Sequence, residues 1–136
     1  MRYLDGGLAW AAPKAPFVIL GDGNLDPEDG DGRRAAIIAL LSDPRLQDPA
    51  PTSDGGRAAA KQGGPNAAQR GDTARDTADW PEDTGPGNLR VDYVLPSADL
   101  RVTSSGVYWP PPGTPDADLA ATASRHRLVW VDLEVP

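Results

Sequence analysis

Four polar side chains stand where short apolar runs begin or end. Asp22 and Asn24 follow the run Phe17-Val18-Ile19-Leu20, which stops at Gly21. Asp92 lies inside the strand-like segment Leu89-Arg90-Val91-Asp92-Tyr93-Val94-Leu95. His126, the single histidine of the chain, immediately precedes the apolar run that closes the sequence. A strand that delivers a carboxylate and an amide to its C-terminal end is a common way to present polar chemistry at a sheet edge. The same Gly21-Asp22-Gly23-Asn24 stretch also fits plain turn chemistry, which Gly, Asp and Asn dominate. A lone histidine is more often a surface or core residue than a catalyst.

The elements that must position these groups follow from local pattern. Phe17 to Leu20 reads as a short strand buried on both faces. The next residues, Leu25 to Gly32, form an acidic turn cluster without the alternating ligand spacing of a calcium loop. Arg33 to Leu41 is the main helix, with Asp31 as its expected cap, Ile37, Leu40 and Leu41 on its apolar face, and Ser42-Asp43-Pro44 as its stop. Leu89, Val91, Tyr93 and Leu95 alternate onto one face of a second strand, leaving Arg90, Asp92 and Val94 on the other. Strands are also expected from Arg101 to Trp109 and from Arg127 to Val135. Residues 1–16 are a Pro-punctuated lead-in. Residues 50–87, rich in Gly, Ala and Pro, read as a long insertion ordered in part, with one helical turn near Ala58-Ala59-Ala60 and Trp80 as its anchor.

Composition bounds the rest. The chain has 136 residues, 39% of them hydrophobic, with 15 Gly and 15 Pro, so one loop-rich domain is expected over 1–136. A net charge of −7 argues against broad nucleic-acid binding, which depends on Lys and Arg neutralising phosphates. With no cysteine, disulfides and thiolate metal sites are excluded. No stretch is long and apolar enough for a membrane span, and the first residues do not make a secretory signal, so cytoplasmic is the default location.

Gly21-Asp22-Gly23-Asn24, then Arg90-Val91-Asp92-Tyr93, then Ser124-Arg125-His126 resembles the C-terminal half of the endonuclease/exonuclease/phosphatase superfamily. The resemblance implies an α/β (α+β) fold, half of a four-layered sandwich with a mostly antiparallel or mixed sheet. It implies metal-dependent hydrolysis of a phosphate ester, with Mg²⁺ or Mn²⁺ as cofactor. Asp22 would orient or deprotonate water and offer a weak metal ligand; Asn24 would hold phosphate. His126 would bond a phosphate oxygen, and Asp92 would fix its tautomer. Two departures stand out. Gly23 replaces a bulky residue, and Arg125 replaces an aspartate, where it could weaken the metal or contact phosphate directly. The resemblance further implies an absent N-terminal half carrying an Asn and a metal-binding Glu. The expectation is therefore a truncated, impaired form, inactive alone and self-associating through an uncovered sheet face that includes Phe17, Ile19 and some of Val91, Tyr93, Val129 and Val131. The alternative is a non-catalytic module that binds a partner, or half of a split enzyme.

Overall fold

Strand-forming residues and short turns give a mixed α+β architecture with the strands paired two by two, antiparallel throughout. The computed structural model describes residues 4–7, 12–14 and 16–135. The remaining residues of the 1–16 lead-in lie outside the described ones. Strand β1 (Val18–Asp22) pairs with β4 (Asp92–Pro96), β2 (Ala78–Asp79) with β3 (Asn88–Leu89), and β5 (Arg101–Tyr108) with β6 (Leu128–Glu134). Helices α1 (Arg34–Leu41), α2 (Asp54–Ala59) and α3 (Ala117–Ala123) complete it, α1 being the longest at 8 residues. Among the described residues no helix is long and apolar enough to cross a membrane.

Alternation along Leu89–Leu95, from β3 into β4, buries the expected face: Leu89, Val91, Tyr93 and Leu95 are all buried. Tyr93 and Leu95 join Leu4, Ile37 and Leu46 in one apolar cluster, against which Phe17, Ile19, Leu40 and Leu41 pack. Ala78, Leu89 and Val91, with Trp80 against them, make a second cluster. A third is built on Ala59, Val107 and Trp109.

Three expectations fail here, each for a physical reason. The Phe17 strand is not buried on both faces: it has one partner strand, only its Ile19 side meets the α1 cluster, and Leu20 is 71% exposed. Asp31 does not cap α1. Arg33 holds the cap position with no side-chain bond, which leaves Asp31 two residues too early. The uncovered apolar residues are not the expected set, because Val91 and Tyr93 are buried. Leu20, Leu128 and Trp130 are exposed instead.

The 50–87 segment carries α2, three turns of 3₁₀ helix and β2. It is held by polar bonds where aliphatic side chains are lacking. The Ser53 hydroxyl caps α2 by accepting the Gly56 amide at 3.0 Å, and Asn66 Oδ1 accepts the Asn88 amide at 2.6 Å. Asp29 accepts the amides of Arg70 and Gly71. Arg90, read as lying on the polar face of its strand, is in fact buried and paired through both guanidinium ends with Asp48 at 2.6 and 2.8 Å. Burial pushes the Asp48 carboxyl up, but the Arg90 hydrogen bonds and charge outweigh that and hold it below its ordinary value.

Asp76 is the exception to this polar matching. It is 6% exposed, and its Oδ2 has no hydrogen-bond partner. Burial first, then the charges of Asp26, Asp29 and Asp72, raise its carboxyl to about 8. The folded protein thus keeps a proton that the unfolded chain releases above about pH 4. Stability contributed by this group is full at acid pH and falls as pH rises through that window, by on the order of 1.4 kcal/mol per pH unit at its steepest. Asp76→Asn should remove this component, so that its stability advantage over the wild type is larger at pH 8 than at pH 5 in urea denaturation. An identical difference at both pH values would contradict the assignment.

Candidate functional site: an Asp-Asp-His group at the β1–β4 edge

The register of β1 against β4 sets Asp22 directly opposite Asp92. Two carboxylates facing each other across a ladder repel unless a cation or a donor lies between or beside them. Asp92 has donors. The Thr77 hydroxyl donates to its Oδ2 at 2.8 Å, and His126 Nδ1 lies 3.0 and 3.2 Å from its two oxygens. A carboxylate only accepts, so Nδ1 carries the hydrogen and Nε2 of the neutral ring carries the lone pair. Asp22 is exposed and turns one oxygen back on its own loop, Oδ1 accepting the Asn24 amide at 2.7 Å. Its Oδ2 makes no hydrogen bond within the described residues.

The backbone around His126 is held as well as its ring. It bridges to Ala78 in antiparallel fashion, while the amides of Asp79 and Arg127 bond to Arg125 and Thr77 carbonyls at 3.0 and 2.7 Å. The Ser124 hydroxyl accepts the His126 amide at 3.0 Å. Buried Arg127 then ties the loop down, donating to the carbonyls of Ala120 and Ser124, pairing with Asp79 at 3.1 Å and lying over the Trp109 ring. Trp80 meets the imidazole edge-on, with centroids 5.5 Å apart.

The loop after Asp22 is fixed from β4. The Gly23 amide donates to the Val91 carbonyl at 2.8 Å, and the Tyr93 hydroxyl reaches the carbonyls of Leu25 and Arg90 at 2.7 and 2.8 Å. Between these anchors Asn24 adopts a left-handed backbone, φ 47°, a conformation that Asn tolerates better than most residues. A side chain at Gly23 would find ordinary contact with the Tyr93 ring, its Cβ 3.4 Å away. A Cβ at this position therefore meets no clash.

Of the residues singled out in the sequence, Asp22, Asp92 and His126 come together: each offers a ligand atom, all within 4.8 Å of one another. Asn24 sits beside them on the loop, exposed. Arg125 is exposed, its carbonyl engaged by Asp79 and its guanidinium unpaired among the described residues. Thr77 and Arg127 went unnoticed, since neither lies in an apolar rhythm. The one available signal for Arg127 was its place next to the single histidine.

The donor set suits a divalent cation that takes few protein ligands. Mg²⁺ is usually held by one or two carboxylates, with water and substrate phosphate completing the shell. Asp22, with a free Oδ2, can supply one such ligand. Asp92 is largely committed to Thr77 and His126, so the arrangement is an open site and not a closed cage.

Thr77 is fully buried, and its one hydroxyl also accepts the amides of Val91 and Asp92 at 3.0 and 2.9 Å. Thr77→Val keeps the shape and strands both amides, a loss of about 3 kcal/mol in thermal or urea unfolding. Thr77→Ser should retain most of the wild-type stability. Equal stability of the valine and serine variants would show that the hydroxyl is not the anchor.

No curated protein and no solved structure matches the chain. The Endonuclease/Exonuclease/phosphatase family does, over residues 2–126. That span includes Asp22, Asn24, Asp92 and His126, and the chain belongs to the endonuclease/exonuclease/phosphatase family.

Proposed function

We propose that the chain hydrolyses a phosphate ester at the Asp22–Asp92–His126 group, with Mg²⁺ or Mn²⁺ held weakly. The observation that carries this reading is the chain of hydrogen bonds from Thr77 through Asp92 to His126, which occupies Nδ1 and brings the imidazole into one group with Asp22. Phosphoryl transfer asks for an aligned nucleophile and positive charge around the phosphoryl oxygens more than for covalent catalysis. Asp22 takes the proton of the attacking water. His126, its Nδ1–H held by Asp92, acts in its imidazolium form, donating Nε2–H to a phosphoryl oxygen and stabilising charge as it develops. The exposed Asn24 amide supplies further N–H donors to phosphate. A bound divalent cation contributes neutralisation of the phosphate charge.

Arg125 distinguishes this site. An exposed guanidinium beside His126 attracts phosphate and repels a cation, through solvent that screens both effects. Weak cation retention and low turnover follow, and the reading is of an impaired phosphoesterase whose ester group is not fixed by the site. Bis(p-nitrophenyl) phosphate hydrolysis tests it. Turnover should require millimolar Mn²⁺ and fall at least a hundredfold in Asp22→Asn and in His126→Asn. Arg125→Asp should lower the Mn²⁺ concentration for half-maximal rate by about tenfold. Absence of hydrolysis at every Mn²⁺ concentration in both the wild type and Arg125→Asp, or turnover that survives Asp22→Asn, would overturn the proposal.

A further inference from the structure

A second concavity, of about 240 Å³, opens between the loop after β1, helix α1 and the residues that lead into β2. Six acidic residues and two arginines line it, so its potential is negative. Most of those carboxylates are already engaged. Asp26 accepts the amides of Glu28, Asp29 and Arg90, each at 2.7 Å. Asp29 accepts the amides of Arg70 and Gly71, and Asp48 is taken by Arg90. Asp72 accepts the Ala74 amide and lies beside Arg57 and Arg75.

Asp76 has no such donor. It is more than nine-tenths buried, lines the cleft, and leaves Oδ2 without a partner. A buried acceptor left unmatched is costly and calls for a donor from outside the chain. Burial and the like charges around it keep the carboxyl protonated in the empty cleft, and a cationic donor can take the place of that proton, which leaves to solvent.

Metal chemistry does not fit this place. A calcium-type ion needs several oxygens converging on one point. Among the described residues only Asp22, Asp92 and His126 bring three such ligand atoms together, and none of them lines the cleft. An organic ammonium needs one acceptor and an apolar wall for its stem. Pro27, Leu41 and Ile38, the last 47% exposed, supply that wall.

We propose that the cleft binds a small aliphatic amine in its ammonium form, its nitrogen bonded to Asp76 and its hydrocarbon stem laid along Ile38 and Leu41. The site is separate from the Asp22–Asp92–His126 group and does not depend on phosphoester chemistry there. Titration with 1,4-diaminobutane, followed by NMR at the Ile38 methyl and the Asp76 carboxyl carbon, tests it. Saturable shifts are expected at both, absent with tetramethylammonium, which has the charge but no N–H. Asp76→Asn should weaken binding at least tenfold, and Ile38→Ala, on the exposed wall, about threefold. Ile38→Ala decides the matter should Asp76→Asn fail to fold. Three results would overturn the proposal: no saturable shift with diaminobutane, equal affinity in the variants, or the same saturable shifts with Ca²⁺ at lower concentration, which would make this a metal site.

Discussion

One buried hydroxyl sets the geometry on which the site depends. Thr77 accepts two consecutive amides of the chain entering β4 and donates to the first carboxylate of that strand. Its own backbone gives a hydrogen bond to Leu89 and receives one from Arg127. The same residue therefore aligns β3, β4 and the loop that presents His126. Remove its oxygen and Asp92 loses the donor that fixes its rotamer, so the imidazole loses its fixed tautomer with it. The geometry of the Asp22–Asp92–His126 group is a matter of buried hydrogen bonds, with the apolar clusters holding the elements that carry them.

The acidic balance of the chain acts at two levels. Inside, carboxylates are used as acceptors for backbone amides and for the buried arginines: Asp26 for Arg90 N–H, Asp48 for the Arg90 guanidinium, Asp79 for Arg127. Such bonds to charged groups are stronger than neutral ones and leave buried arginines compensated. At the surface the same surplus of carboxylates favours cations over polyanions, in keeping with a divalent cation at the β1–β4 edge and against a wide nucleic-acid interface.

The readable part of the sequence was the part with a period. Alternation along Leu89–Leu95 gave the buried face of β4, and helical spacing gave Ile37, Leu40 and Leu41. The three short motifs placed Asp22, Asp92 and His126 on or just beside strands, and the β1–β4 register brings the first two face to face. Hidden from that reading were interactions that carry no period. Thr77 and Asp76 stand in a polar stretch whose order comes from side chain–backbone bonds, and Arg90 alternates onto a face that looked open until Asp48 arrived from 42 residues away. The Phe17–Leu20 run misled because four apolar residues in a row look alike whether one face or two are covered. Which face is covered depends on how many strands pair with it.

The central claim is that Asp92, held by Thr77, selects the Nδ1–H tautomer of His126, so that Nε2 is the nitrogen that takes up the second proton and donates it to the phosphoryl group. The direct measurement is the pair of ¹⁵N chemical shifts of the His126 ring, recorded at a pH where the imidazole is neutral, in the wild type and in Asp92→Leu. The account predicts a protonated Nδ1 and an unprotonated Nε2 in the wild type, with the pattern reversing toward Nε2–H once the carboxylate is gone. The same tautomer in both proteins would show that Asp92 does not hold the ring, and the site as described would not stand.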